Sequence, residues 1–146
     1  MHLALAVREV VASKFRNTGQ TCVCANRICV QAGIHEEFGR RLAEVVKGLR
    51  MGDPLDAATN VGPLVDQQGH DKVSAHVTDA LAKGARALVG GAPRDGLYYE
   101  PTVLTGVVPG MRILEEETFG PVAPIVRFEH DAATAEVELA TAQLRL

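Results

Sequence analysis

The sequence contains no tryptophan, and aromatic residues make up only 4% of its 146 residues. It therefore offers no aromatic platform on which nucleotide bases or sugars could stack. Its net charge of -3 gives no reason to expect nucleic acid or an anionic membrane surface as a partner. No apolar run approaches the ~20 residues that a membrane-spanning helix needs. We expect neither nucleic acid nor a membrane among its partners.

A targeting signal and a metal-ligand pattern are also missing. The first nine residues lack the basic region and cleavage site of a signal peptide. Without such a signal, three cysteines suggest a reducing compartment, and cytoplasm is the expected location. The five histidines are scattered, and the pair Cys22 and Cys24 has no second Cys or His pair at ligand spacing. We predict that the protein has no metal site.

Helical and strand patterns alternate along the chain. Apolar residues recur at three- and four-residue intervals near 3–16, 35–49 and 66–83, which predicts three helices. Short apolar runs at 28–30, 87–89 and 102–104 predict strands, and Cys29 is expected to be buried in the first. A further strand at 121–126 contains two prolines, which favours an edge position or a bulged start. The predicted fold is α/β, with helices around a largely parallel sheet.

The most informative stretch is Lys14 to Arg27, with the sequence KFRNTGQTCVCANR. Two thiols, separated by a single residue, lie just after a Gly-Gln-Thr turn and between cationic side chains. A thiol is nucleophilic as the thiolate, and neighbouring cations favour that form. Gly19 allows a tight turn that exposes Cys22. The alternative is a buried structural cysteine, because a single thiol without its base is weak evidence for catalysis.

Two motifs resemble those of the aldehyde dehydrogenase superfamily. FRNTGQTC, ending at Cys22, resembles its active-site signature, and EETFGPV, which contains Glu117 and Phe119, resembles its nicotinamide-ribose motif. Arg16, six residues before Cys22, and the Cys-Val-Cys core are similar to the succinate-semialdehyde dehydrogenase branch. The resemblance runs from about residue 4 to about residue 140. It implies an NAD(P)-dependent enzyme with an aldehyde substrate.

The resemblance also implies roles for individual residues. Cys22 would be the nucleophile, and its backbone N–H would supply half of an oxyanion site. Glu117 would bind the nicotinamide ribose of NAD or NADP, and Phe119 would pack near the nicotinamide ring. Arg16 would bind the distal carboxylate of succinate semialdehyde. Alternatively, its positive charge only interacts favourably with the dipole at the C-terminus of the preceding helix. Cys24 would pair with the nucleophile in a redox switch.

Residues 115 and 116 are interpreted as surface charges, and the segments Gly-Asp-Pro and Gly-Pro-Leu, from residue 52 to residue 64, as scaffold that borders the active site. In the family, the Glu-Leu-Gly-Gly motif with the general base and the dinucleotide-binding domain both precede the matched region. Residues 1–146 therefore resemble a partial catalytic domain, and we expect them to show no turnover alone.

The end of the sequence departs from the family pattern. Residues 141–146 stand where the family continues into an aromatic-Gly-Leu segment, which suggests a change of reading frame. Full-length members of the family are expected to be homo-oligomers. Two other functions stay open: a dehydrogenase for another aldehyde or semialdehyde, and a non-catalytic remnant that only folds or binds partners.

Overall fold

The computed structural model describes residues 3–129, and it confirms the predicted alternation of helices and strands. The expected helices and strands are all present, although α2 begins three residues before the predicted start. The divergent residues 141–146 lie outside the described part. In chain order the elements are α1 (Leu3–Lys14), a 3₁₀ turn (Arg16–Gly19), β1 (Ile28–Gln31), α2 (Ala32–Lys47), α3 (Gln67–Ala82), β2 (Arg86–Val89), β3 (Thr102–Thr105), α4 (Arg112–Glu115) and β4 (Val122–Phe128).

Side-chain caps define where the two long helices begin. The Asp66 carboxylate accepts a hydrogen bond of 2.7 Å from the Gly69 N–H and caps α3 as predicted. The Gln31 side chain accepts from the Gly33 N–H at 2.8 Å, so α2 begins directly after β1. Glutamine is an uncommon cap, which explains why the sequence suggested a later start. Neither these helices nor any other within residues 3–129 is long and apolar enough to cross a membrane.

The four strands form one sheet in the order β1-β4-β3-β2. β4 pairs in parallel with both β1 and β3, whereas β2 pairs antiparallel with β3. The expected α/β fold with a largely parallel sheet is therefore confirmed.

Of the two expectations for β4, an edge position or a bulged start, the edge position is wrong, because β4 is a central strand. Its first residues, through Pro124, pair with β3, and its later residues, from Ile125, pair with β1. Pro124 cannot donate a backbone hydrogen bond. It stands where the strand changes from one neighbour to the other, which is where a missing donor disturbs the ladder least.

A hydrophobic core covers each face of the sheet. On one face, α1 and α2 pack against Val103, Ala123 and Ile125. On the other face, α3 and α4 pack against Leu104 and Val122. The alternation of side chains along a strand sends neighbouring residues of β3 and β4 into different cores. β3 and the first four residues of β4 are consequently buried on both sides.

Cys29 does not pack as a small hydrophobe, as the sequence suggested. Ile28 and Val30 are buried, but Cys29 and Gln31 point to the other side of β1 and are exposed. Within residues 3–129, no helix covers that side of this edge strand enough to bury them. Cys29 therefore serves as an exposed reference thiol for experiments on Cys22.

The parallel pairing of β1 with β4 brings the two motifs together. One motif precedes β1 and the other precedes β4, and Ile28 lies opposite Ile125 in the sheet. Segments that directly precede neighbouring parallel strands must lie at the same end of the sheet, where the strands begin. The two motifs therefore meet at the amino ends of the strands, although they are separated by about ninety residues of sequence.

We predict that Asp66→Ala weakens α3 by leaving the Gly69 N–H without its acceptor. Loss of an N-cap costs about 1 kcal/mol of the free energy of unfolding, which urea denaturation would measure. Gln68→Ala, an exposed substitution in the same first turn, is the control and should change stability by less than ~0.5 kcal/mol. Equal effects of the two substitutions would contradict the capping role.

Candidate active site

The loop that leads to Cys22 has an unusual backbone. Three consecutive residues adopt left-handed conformations: Asn17 with φ 48°, Thr18 with φ 60° and Gly19 with φ 74°. This region is uncommon for residues other than glycine, and a β-branched threonine there is a genuine outlier. Such residues cost of order 1–3 kcal/mol each and persist only where the surroundings impose them.

Hydrogen bonds from the Gly-Pro-Leu segment impose this conformation. The Thr18 hydroxyl accepts from the Gly62 N–H at 3.0 Å and donates to the Gly62 carbonyl at 3.3 Å. The Gln20 amide donates to the Pro63 carbonyl at 3.3 Å and accepts from the Val65 N–H at 2.8 Å. The segment that we interpreted as scaffold thus fixes the loop on both sides of Gly19.

Cys22 lies at the tip of a tight turn. The Cys24 N–H donates to the Thr21 carbonyl at 3.1 Å, and the Cys24 sulfur lies 2.8 Å from the Thr21 hydroxyl. Cys22 and Val23 form the exposed tip between them. Within residues 3–129, no acceptor is paired with the Cys22 N–H. The turn thus presents a thiol and a backbone donor on the same residue.

The two motifs meet backbone to backbone. A Cβ atom added to Gly19 would lie 2.0 Å from the Gly120 carbonyl oxygen and 3.1 Å from the Lys14 carbonyl oxygen. Gly120 in turn lies against α3, where its own Cβ would be 2.4 Å from a methyl group of Val73. Both glycines are therefore required by contact, and they join the Cys22 loop to the segment that carries Glu117 and Phe119.

Glu117 and Phe119 are both exposed on this segment. Phe119 has a left-handed backbone with φ 53°, and 37% of its surface remains accessible. In the part of the chain that the structure describes, no donor is hydrogen-bonded to the Glu117 carboxylate. A carboxylate without a donor can accept two hydroxyl groups of a ribose, and an exposed ring beside it can pack on a planar base. The residues therefore fit the nicotinamide riboside of NAD(P).

Glu116 is not a simple surface charge, which corrects the interpretation from the sequence. Its carboxylate accepts from Arg112 Nε at 3.0 Å and lies 3.0 Å from His76 Nε2. These hydrogen bonds, that from Arg112 first, lower the pKa of Glu116 to about 2. The residue next to Glu117 is thus tied to α3 and α4.

Two cationic residues near the thiols behave differently from what the sequence suggested. Arg27 donates from its guanidinium to the Leu114 carbonyl, at 2.8 Å from Nε, so it is committed to α4 rather than to Cys22. Lys14 is buried at the end of α1, with 1% of its surface accessible. Burial lowers the pKa of its amine, and the negative fields of Cys24 and Glu117 partly oppose that shift.

The burial of Lys14 close to both motifs is the feature that sequence reasoning missed. A lysine at the end of an amphipathic helix normally extends into solvent, and nothing in the pattern distinguished this one. Its burial becomes apparent only when Gly19 and Gly120 are brought together above it.

Nothing in the structure tests the roles expected for Arg16 and Cys24, so both stay predictions. Arg16 opens the 3₁₀ turn with an exposed side chain, and its carbonyl lies 3.9 Å from the Cys24 sulfur. No disulfide joins the three cysteines. Among residues 3–129, no three His, Cys, Asp or Glu side chains are grouped as metal ligands.

The arrangement agrees with comparisons to known proteins. A model described as the aldehyde dehydrogenase family matches residues 1–141. The chain belongs to the aldehyde dehydrogenase family. It is 49% identical to 3-sulfolactaldehyde dehydrogenase of Pseudomonas putida, over 95% of this chain and 29% of that protein. It is 47% identical to an NADP(+) succinate-semialdehyde dehydrogenase of Escherichia coli strain K12, over 87% of this chain and 27% of that protein.

A solved structure shows the same fold. The succinate-semialdehyde dehydrogenase from Burkholderia pseudomallei superposes with a TM-score of 0.90 at 44% identity, over 95% of this chain and 29% of that one. The family and fold that the motifs implied are therefore confirmed. The chain spans less than a third of the length of these aldehyde dehydrogenases.

We predict that Gly19→Ala destabilises the fold by roughly 2–4 kcal/mol, because a left-handed alanine is strained and its methyl group meets the Gly120 carbonyl. Gly96→Ala is the matched control: Gly96 has φ 68° but nothing within 4 Å of an added Cβ. It should show the conformational cost alone, about 1–2 kcal/mol. Urea denaturation of both variants measures the difference, and equal losses would contradict the close approach.

We predict that Glu116 stabilises the fold at neutral pH and loses this effect in acid. Its pKa is lowered from 4.5 to about 2 in the folded protein. The stabilisation is therefore complete above pH 4.5 and disappears as the pH falls toward 2. Glu116→Gln should be less stable than the parent at pH 7, with the difference shrinking between pH 4.5 and pH 2. Glu115→Gln, an exposed neighbour, is the control, and urea denaturation at several pH values makes the measurement.

Proposed function

We propose that the chain carries the nucleophile-bearing part of an NAD(P)-dependent enzyme that oxidises an acidic aldehyde, with succinate semialdehyde as the first candidate. One observation carries this proposal. The exposed thiol of Cys22 lies on a strained loop whose backbone packs directly against the segment of Glu117 and Phe119. Such preorganisation is typical of catalytic sites.

Cys22 would do the covalent chemistry. Its sulfur, as the thiolate, bonds to the aldehyde carbon while the carbonyl electron pair moves to oxygen. The Cys22 N–H at the tip of the turn is placed to donate to that oxygen. Loss of hydride from the carbon leaves a thioester on Cys22, and water then releases the carboxylic acid and the thiol. NAD(P), when bound, supplies the acceptor for the hydride.

Glu117 and Phe119 would position the cofactor. The Glu117 carboxylate would accept the ribose hydroxyls, and the Phe119 ring would restrict the nicotinamide on one side. Lys14 lies near enough for its positive charge to be felt at Glu117.

Arg16 would select an aldehyde with an anionic group at its far end. The names of two relatives support this choice, because sulfolactaldehyde and succinate semialdehyde carry a sulfonate and a carboxylate. The planar guanidinium fork binds either oxyanion with two parallel hydrogen bonds. The exposed position of Arg16 leaves its side chain available for this role.

We predict that iodoacetamide at neutral pH alkylates Cys22 faster than Cys29, the exposed thiol of β1. Succinate semialdehyde should slow the alkylation of Cys22 by forming a reversible thiohemiacetal, and butanal should protect it about tenfold less because it lacks the carboxylate. Peptide mapping by mass spectrometry measures both rates and needs no cofactor.

Two variants assign the selectivity in that experiment. Arg16→Met should abolish the difference between the two aldehydes, whereas Arg86→Met, at an exposed arginine of β2, should keep it. Protection by both aldehydes alike would point to a dehydrogenase for a different aldehyde. Equal alkylation of Cys22 and Cys29 without protection would favour a non-catalytic remnant.

A further inference from the structure

The segment from Glu116 to Phe119 has two different faces. Glu116 adopts an extended conformation, with φ -115° and ψ 153°. Along the segment the exposed residues Glu117 and Phe119 alternate with the buried Thr118 and the partly buried Glu116. The outer face carries the two proposed cofactor ligands. The inner face must therefore decide how these ligands are aimed.

His76 of α3 binds both residues of the inner face. Its Nδ1 lies 3.0 Å from the Thr118 hydroxyl, and its Nε2 lies 3.0 Å from a Glu116 carboxylate oxygen. The ring is fully buried. Because its two nitrogens contact residues two positions apart, the ring fixes the direction of the segment as well as its position.

The protonation state of His76 follows from its surroundings. Burial lowers the pKa of the ring, and the charges of Arg112 and Lys72 act in the same direction, whereas Glu116 opposes them. At neutral pH the ring is consequently uncharged, with a single N–H. Glu116 can only accept, so Nε2 carries the proton and donates to it, and Nδ1 accepts from the Thr118 hydroxyl. Every polar side-chain atom of His76, Glu116 and Thr118 then has a hydrogen-bond partner.

A second contact joins the segment to the Cys22 side. The Asn26 side chain donates to the Glu116 carbonyl at 3.4 Å and accepts from the Thr118 N–H at 3.5 Å. These are long hydrogen bonds and leave the segment room to move. The shorter contacts to His76 therefore provide the firmer attachment.

We propose that His76 is a positioning residue that holds the inner face of residues 116–119 so that Glu117 and Phe119 face the cofactor. This inference rests on the cofactor role given to these two residues above. His76 acts through Glu116 and Thr118, and it touches neither substrate nor cofactor.

Amide hydrogen exchange of the whole 146-residue chain at pH 7 tests the proposal without any cofactor. His76→Leu should accelerate exchange of the Glu116 and Thr118 amides, whose N–H groups donate to Arg112 and Asn26, by about tenfold, because it removes both hydrogen bonds of the ring. His76→Gln should restore part of the protection, since its amide can still donate to Glu116. His70→Leu is the matched control, because His70 is also buried in α3 but packs against Tyr99.

Two further measurements keep the test decisive. Thr118→Val removes one of the two hydrogen bonds with little change in volume, so it serves if His76→Leu does not fold. Nitrogen-15 spectra of the imidazole at pH 7 should show the neutral Nε2–H form at His76. Protection of the Glu116 and Thr118 amides that is unchanged in His76→Leu and Thr118→Val, or lost equally in His70→Leu, would overturn the positioning role.

Failure of the proposed function would look different. Absence of aldehyde protection at Cys22 in the parent chain would remove the catalytic assignment, yet the exchange rates of the Glu116 and Thr118 amides would still report on His76. Selective loss of protection in the His76 variants, together with a reactive and aldehyde-protected Cys22 in the parent, supports both conclusions.

Discussion

The contact between the backbones of Gly19 and Gly120 is the constraint on which the site depends. An added Cβ at Gly19 would lie 2.0 Å from the Gly120 carbonyl, so no other side chain fits between the two segments. Gly120 is pressed from behind by Val73 of α3. The thiol loop, the Glu117 segment and α3 are thus stacked in one sequence of contacts, and a shift in any one of them moves the others.

Regular patterns explain why the fold could be largely predicted. Helical periodicity and the Asp66 cap identified α3, and short apolar runs identified β1, β2 and β3. The central position of β4 could not be predicted, because a proline within a strand normally indicates an edge strand. Pro124 is tolerated here because β4 changes its pairing partner from β3 to β1 at this residue. The side of β1 that Cys29 occupies also depends on which face a helix covers, and a four-residue strand does not contain that information.

The residues of the candidate site that belong to short sequence motifs could be predicted from the sequence. The residues whose role depends on burial or on distant partners could not. Cys22 and Glu117 stand in motifs whose neighbours are adjacent in sequence. His76 meets its partners across about forty residues, and in the sequence it resembles any polar residue of an amphipathic helix. Glu116 was expected to be a surface charge, and the burial of Lys14 was not anticipated; both acquire their contacts only when the two motifs meet. Ligand sites generally lie at the carboxyl ends of parallel strands, so this preference would have pointed to the opposite end of the strands from the candidate site.

Strain on both sides of the Gly19–Gly120 contact shows how the site is organised. Asn17 and Thr18 on one side and Phe119 on the other have left-handed backbones, which an isolated loop would not keep. Different segments impose these conformations: Gly62 binds Thr18, while α3 holds the neighbours of Phe119 through His76. Because contacts with separate parts of the chain hold these strained conformations, each loop adopts its shape without a bound ligand. In the proposed function, a thiol and a carboxylate fixed in this way would incur little ordering cost when a substrate arrives, which is the advantage that preorganisation gives to catalysis.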